Sequence, residues 1–228
     1  MNLQDYSGYW QIQVLIVLLK LSLLVGAVLS FVGGHLEAGV VTLGIFIITF
    51  MPIFLGHRFQ VKIPPVFEVL SVVFIYASLF LGEVRGYYVR FWWWDLVLHT
   101  SSGFLLGILG FLLVYVLNEK EEFELDLNAG FVALFAFAFA IAFGTFWEVF
   151  EFLMDSTFGT NMQKSGLVDT MWDLIVNSFG ALVISILGWW YLREEGINSF
   201  LERWIHEFIR KNPRLFHHRR KKIHWGED

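Results

Sequence analysis

The chain has 228 residues, of which 57% are hydrophobic and 16% charged, with a formal net charge of −5 and a mean hydropathy of +0.61. A composition this apolar excludes a soluble surface over most of the length and points to a polytopic membrane protein, with membrane lipids as partners and no nucleic acid. The absence of cysteine excludes disulfide frameworks, thiolate metal sites and cysteine nucleophiles, so any metal is left to oxygen and imidazole ligands.

Crossing a hydrocarbon core of roughly 30 Å takes about 20 helical residues. Six stretches qualify: Trp10–Val32, Glu37–Leu55, Val66–Gly82, Trp94–Leu117, Ala129–Met154 and Leu167–Leu192. Asp5 is the only charge ahead of the first, and no cationic region or small-residue cleavage pattern accompanies it, so a retained span is expected rather than a signal peptide. In the second span, Met51–Pro52 hints at a helix break. The segment "FAFAFAIAF", Phe135 to Phe143, alternates like a strand. It lies within an unbroken apolar run, however, and lipid demands internally satisfied backbone hydrogen bonds, so helix is expected. Gly103, Gly107 and Gly110 put small residues on adjoining turns of the fourth span, where another helix can approach. The expected fold is all-α: a six-helix transmembrane bundle over residues 1–192.

Residues 193–228 form the rest. Ile197, Phe200, Leu201, Trp204, Ile205, Phe208 and Ile209 share one face at helical spacing, with Glu202, Arg203, Glu207 and Arg210 opposite, which predicts an amphipathic helix along the membrane surface. The run "HHRRKK", His217 to Lys222, follows and can attract anionic lipid headgroups. With the N-terminus inside, cytoplasmic segments hold Arg58, Lys62, Lys120 and nine basic residues from Arg193 onward, against Arg85, Arg90 and Lys164 outside. The positive-inside rule then predicts a multi-pass protein of the cell membrane with both termini cytoplasmic.

One set of ionisable residues gathers at span ends that share one side in a six-span topology, whereas the cytoplasmic half of the spans offers little beyond Lys20 and Glu68. Glu83 ends the third span, and Asp95 and His99, within "FWWWDLVLHT", begin the fourth. Glu148, Glu151 and Asp155 end the fifth, and Asp169, Asp173 and Asn177 begin the sixth. Their spacings, i, i+4 for Asp95 and His99, i, i+3, i+7 for the glutamates and Asp155, and i, i+4, i+8 for the last set, place each group on one helix face. At 1.5 Å per residue, Asn177 lies roughly 12 Å deeper than Asp169.

An aspartate at a membrane helix centre costs about 2.5–3.5 kcal/mol on insertion scales, so such residues face the interior, pair, or bind something. Carboxylates here outnumber the cations on their side. Packed together, they either share protons or coordinate a cation. Carboxylates with one imidazole and one amide suit magnesium, calcium, manganese, iron or zinc. The candidate ligands are Asp95, His99, Glu148, Glu151 and Asp173; Asp95, His99, Glu148 and Asp173 are also the candidate catalytic residues, with Glu83, Asp155, Asp169 and Asn177 in support. Taken alone, His99 also fits a histidine hydrogen-bonded to a neighbouring helix, and Asp155 and Asp169 fit solvated helix ends, Asp169 at a positive helix dipole.

In order along the chain, "WWWDLVLHTSSGFLLG", "GTFWEVFEFLMD" and "GLVDTMWDLIVNSFGAL", with "IPPVFEVLSVVFIYASLFLGE" before them, resemble the YjdF family of bacterial and archaeal inner-membrane proteins of unknown function. A more distant likeness is to VanZ-like membrane proteins. Their pattern of Asp-x-x-x-His, Glu-x-x-Gln and Asp-x-x-x-Asn-x-x-Gly falls here on Asp95/His99, Glu148 and Asp173/Asn177/Gly180. Leu96 stands where those proteins often carry a basic residue, and Glu151 where they carry glutamine. What the resemblance implies is architecture and site residues, not a reaction.

Three readings follow. A metal at the acids can polarise a phosphoryl or carbonyl oxygen or activate water beside a lipid headgroup, making a metal-dependent hydrolase or transferase. The same acids can bind and release a cation or proton in a transporter. A structural membrane protein would need them protonated or solvated. No Gly-rich phosphate loop, Gly-x-Ser-x-Gly elbow or His-Glu-x-x-His motif is present.

Overall fold

The structure, a computed structural model, describes residues 3–118, 127–193, 207–208 and 210–213. Among these every regular element is helical: α1 (Leu3–Val32), α2 (Leu36–Ile48), α3 (Met51–Arg58), α4 (Pro65–Ile75) running into a π-helical stretch (Tyr76–Val84), α5 (Tyr87–Arg90), α6 (Trp94–Asn118), α7 (Ala129–Phe158) and α8 (Leu167–Arg193). Six helical segments are long and apolar enough to cross a membrane: Trp10–Val32, Leu36–Arg58, Pro65–Val84, Trp94–Val114, Ala129–Phe158 and Leu167–Arg193. The amphipathic helix expected at 197–209 and the basic run at 217–222 lie almost wholly outside the described residues.

The helices form two compact units, with the boundary between Trp94 and Asp95 in the first turn of α6. The first unit holds α1 to α5 together with residues 210–212. Its second span is interrupted at Thr49 and Phe50 because Pro52 in the first turn of α3 lacks the N–H that would continue α2. Buried polar groups here are satisfied close to home. The hydroxyls of Thr42 and Thr49 donate to the carbonyls of Ala38 and Phe46 on their own helix, and the Asn212 amide pairs with the Lys62 backbone N–H and C=O.

The second unit holds α6 to α8. On α7, Val132, Ala136, Ala140, Gly144, Glu148 and Glu151 are buried along one stripe, while Phe143, Phe146 and Phe150 are exposed. The alternating run at 135–143 is therefore helical, with Ala136 and Ala140 on the buried stripe and Phe143 exposed, as the demand for internal hydrogen bonds predicts. The three glycines of α6 do bring helices close: an added Cβ would run into the Asn177 carbonyl at Gly103, the Ile184 side chain at Gly107, and Ala136 and Phe139 at Gly110. Gly180 on α8 likewise lies against the backbone carbonyl of Thr100. Approach this close is available only without a side chain, and it fixes the register of α6 against α8.

Candidate functional site

This register sets the first turns of α6 beside the first turns of α8, with the C-terminal half of α7 against both. His99 is the hub. Its Nε2 lies 3.6 Å from Asp95 Oδ1, one helical turn earlier on α6, and 3.9 Å from Asp173 Oδ2 on α8. The other ring nitrogen, Nδ1, lies 3.7 Å from Glu148 Oε1 on α7. One donor atom each from Asp95, His99 and Asp173 falls within 4.8 Å of the others. These separations exceed hydrogen-bond length, and a tetrahedral ion with bonds of about 2.0–2.2 Å would hold its ligands at about 3.4 Å, near the observed spacing.

Burial makes the arrangement costly. Glu148 is 4% exposed and Asp173 2%, and both Glu148 oxygens and Asp173 Oδ2 are buried without a well-formed hydrogen bond among the described residues, although the Thr170 hydroxyl lies close enough to Glu148 to interact with it. A buried carboxylate left this way forfeits its hydration without return. Glu151, also buried, is better provided for, accepting from Trp147 Nε1 at 2.9 Å.

Deeper in the unit Asn177 closes the stripe. Its Oδ1 accepts from Ser102 Oγ at 3.2 Å and its Nδ2 donates to the Ala140 carbonyl at 3.4 Å. Gly144 makes room for that amide, since a Cβ there would strike Asn177 Nδ2. Beyond it the buried face of α8 continues with Gly180, Ala181, Ile184 and Ser185.

Two of the expected supporting acids have a different task. Asp155 Oδ1 accepts from Thr160 Oγ1 at 2.6 Å and from the Met162 N–H at 2.7 Å, and its Oδ2 accepts from the Gln163 N–H at 2.9 Å. Asp169 Oδ2 accepts from the Lys164 N–H at 3.1 Å. Both therefore shape the loop between α7 and α8. That loop brings the Lys164 ammonium to 2.7 Å from Asp95 Oδ2. Glu83 is exposed, near the end of the π-helical stretch, and belongs to the first unit.

Sequence reasoning missed Gly144 and Trp147 and left Lys164 as one of three loop cations. A signal existed for the first two, each one helical turn before a buried acid, at i−4 from Glu148 and Glu151. Lys164 carries no comparable mark, because helical spacing says nothing about where a loop side chain lands.

Residues 14–194 match the model of a family described as "Predicted membrane protein (DUF2238)". The chain belongs to this family. The matched segment includes every residue of the cluster and agrees with the YjdF-like motifs; the VanZ-like likeness has no support beyond its motif. Membership makes this a multi-pass membrane protein whose helices contact lipid. A relative from Thermotoga maritima, described as an "Uncharacterized protein", is 27% identical over 115 residues, covering 50% of this chain and 56% of that protein. The match thus spans little more than half of the relative's length. No solved structure matches the chain.

Proposed function

We propose that this DUF2238 protein binds a divalent cation at the α6–α8 cluster and that the loaded site binds, or acts on, the polar headgroup of a lipid or other amphiphile. The observation that carries the reading is the pair of buried carboxylates, Glu148 and Asp173, which converge on His99 without a well-formed hydrogen bond among the described residues. A cation would supply what Asp173 lacks, and the imidazole bound to it would present an N–H to Glu148. Asp95, Asp173 and the Nε2 of His99 would hold it, while Glu148 at the other ring nitrogen would orient the imidazole, as carboxylates do behind metal-bound histidines. Glu151 stands behind Glu148 as a further acid. Such a metal would polarise a phosphoryl or carbonyl oxygen or activate water.

Asn177 favours a one-sided site over a transport path, because its amide is engaged on both sides and close-packed glycines enclose it. By the distribution of lysine and arginine, the open end faces the outside. Single cysteines at Ser165 and Ser199 of this cysteine-free chain test that orientation, with labelling by an impermeant reagent on intact cells expected at 165 only.

Elemental analysis and reconstitution test the function. Purified protein should carry a divalent ion that Asp173→Asn and Glu148→Gln lose while remaining folded, and vesicles should show metal-dependent turnover or retention of a lipid that Asp173→Asn abolishes. Absence of metal, with both variants unchanged, would refute the metal site. Protein-dependent flux of protons or divalent ions, lost in Asp173→Asn, would establish a transporter instead.

A further inference from the structure

The α7–α8 loop is built more firmly than a connection between two spans requires. Gly159 ends α7 in the left-handed region, at φ 66°, with its N–H on the Asp155 carbonyl at 3.1 Å. Gly166 turns the chain into α8 at φ 63°. Between them, Asp155 collects Thr160, Met162 and Gln163, Gln163 Nε2 donates to Thr170 Oγ1 at 2.7 Å, and Asp169 holds the Lys164 N–H. Glycine at each turn avoids the cost of a left-handed backbone, and the acceptors fix the loop from both flanking helices.

One consequence is the position of Lys164. Its ammonium meets Asp95 through Oδ2, whereas Oδ1 of the same carboxylate faces His99. Lys164 therefore stands at the rim of the cluster without occupying its centre, and its side chain is still 28% exposed. Around the same end, Phe158, Leu167, Val168 and Trp172 are exposed apolar side chains, as expected where a span meets lipid and headgroups.

We propose that Lys164 is the anion-recognising residue of this site and that the group it takes is a phosphate. The inference rests on the metal reading above and adds the ligand's chemical class. A bare carboxylate cluster repels anions; a divalent ion at Asp95, His99 and Asp173 reverses that locally, and the ammonium adds a second positive charge beside it. Two cationic centres joined through one carboxylate suit a group whose several anionic oxygens can bridge them, with lysine acting as a point charge. The phosphate can belong to a lipid headgroup or be free in solution.

The probes are Mn²⁺, inorganic phosphate, short-chain phosphatidic acid and the matching diacylglycerol, applied to the full chain in detergent. Wild type should bind Mn²⁺, and the loaded protein should bind phosphatidic acid in preference to diacylglycerol. Lys164→Gln should weaken phosphatidic acid by at least about tenfold, the loss of one charge-assisted hydrogen bond, while keeping its fold and binding Mn²⁺ as well as wild type or better. Lys164→Arg should restore most of the phosphate affinity. Inorganic phosphate bound as tightly as phosphatidic acid points to a soluble source, and tighter phosphatidic acid to a lipid. Equal binding of diacylglycerol, or an unchanged phosphate affinity in Lys164→Gln, would overturn the proposal. Lys164-dependent phosphate binding without any Mn²⁺ binding would retain it and remove the metal reading.

Discussion

The two units handle buried polarity in opposite ways. In the first, Thr42, Thr49 and Asn212 are buried and each has its partner, the threonines on their own helix and Asn212 at the Lys62 backbone. Such groups cost little to bury and need no ligand. In the second, Glu148 and Asp173 are buried as deeply without a well-formed hydrogen bond among the described residues, on helices that glycines bring into close register. The first pattern is what a membrane helix does with a hydroxyl; the second leaves a desolvation cost that a proton on the carboxylate or a bound cation would offset.

Substitution of glycine should break the comparison most severely. Gly180→Val drives a side chain into the Thr100 carbonyl and should cost about 3 kcal/mol or more, overpacking at the expensive end of its range. The readout is loss of monodisperse protein in detergent. Gly44, in the first unit, has nothing within 4 Å of an added Cβ; Gly44→Ala should be neutral or raise the thermal midpoint through helix propensity.

Removing a charge should separate the units next. Asp173→Asn and Glu148→Gln should stabilise the metal-free protein by about 1–3 kcal/mol, since each relieves an unsatisfied buried carboxylate. Divalent ions should raise the thermal midpoint of wild type, and both variants should lose that response. Thr42→Val should change stability by less than about 1 kcal/mol and leave any metal response intact. Destabilisation of the metal-free protein by Asp173→Asn would mean that its carboxylate already has a structural partner.

The loop sharpens the contrast further. Asp155→Ala removes the acceptor of three hydrogen bonds and should lower the thermal midpoint slightly, since the carboxylate is open to solvent, without changing Mn²⁺ affinity by more than a few-fold. A large loss of Mn²⁺ would make Asp155 part of the ion site. Limited proteolysis within residues 160–165 should accelerate in the same variant.

Much of this was legible in the chain, and the gaps have physical reasons. Span positions follow from apolar length, so the first span agrees at Trp10–Val32 and the third moves only from Val66–Gly82 to Pro65–Val84. The π-helical stretch was invisible because an apolar run looks the same with either hydrogen-bond pattern. Spacing placed Asp95, His99, Glu148, Asp173 and Asn177 on helix faces that the structure brings together. It could not distinguish Asp173, which meets His99, from Asp155 and Asp169, which the loop's own N–H groups claim. The division between Trp94 and Asp95 left no mark in the span pattern, since apolar spans lie on both sides of it.

Manganese bound to the purified protein offers the most direct test, through electron spin resonance that detects nitrogen coupled to the ion. About one Mn²⁺ per chain should bind with coupling to an imidazole nitrogen, and that coupling should vanish in His99→Gln, with binding itself lost in Asp173→Asn. Manganese that fails to bind, or binds with no nitrogen coupling, would contradict the claim that the α6–α8 carboxylates and His99 form one cation site.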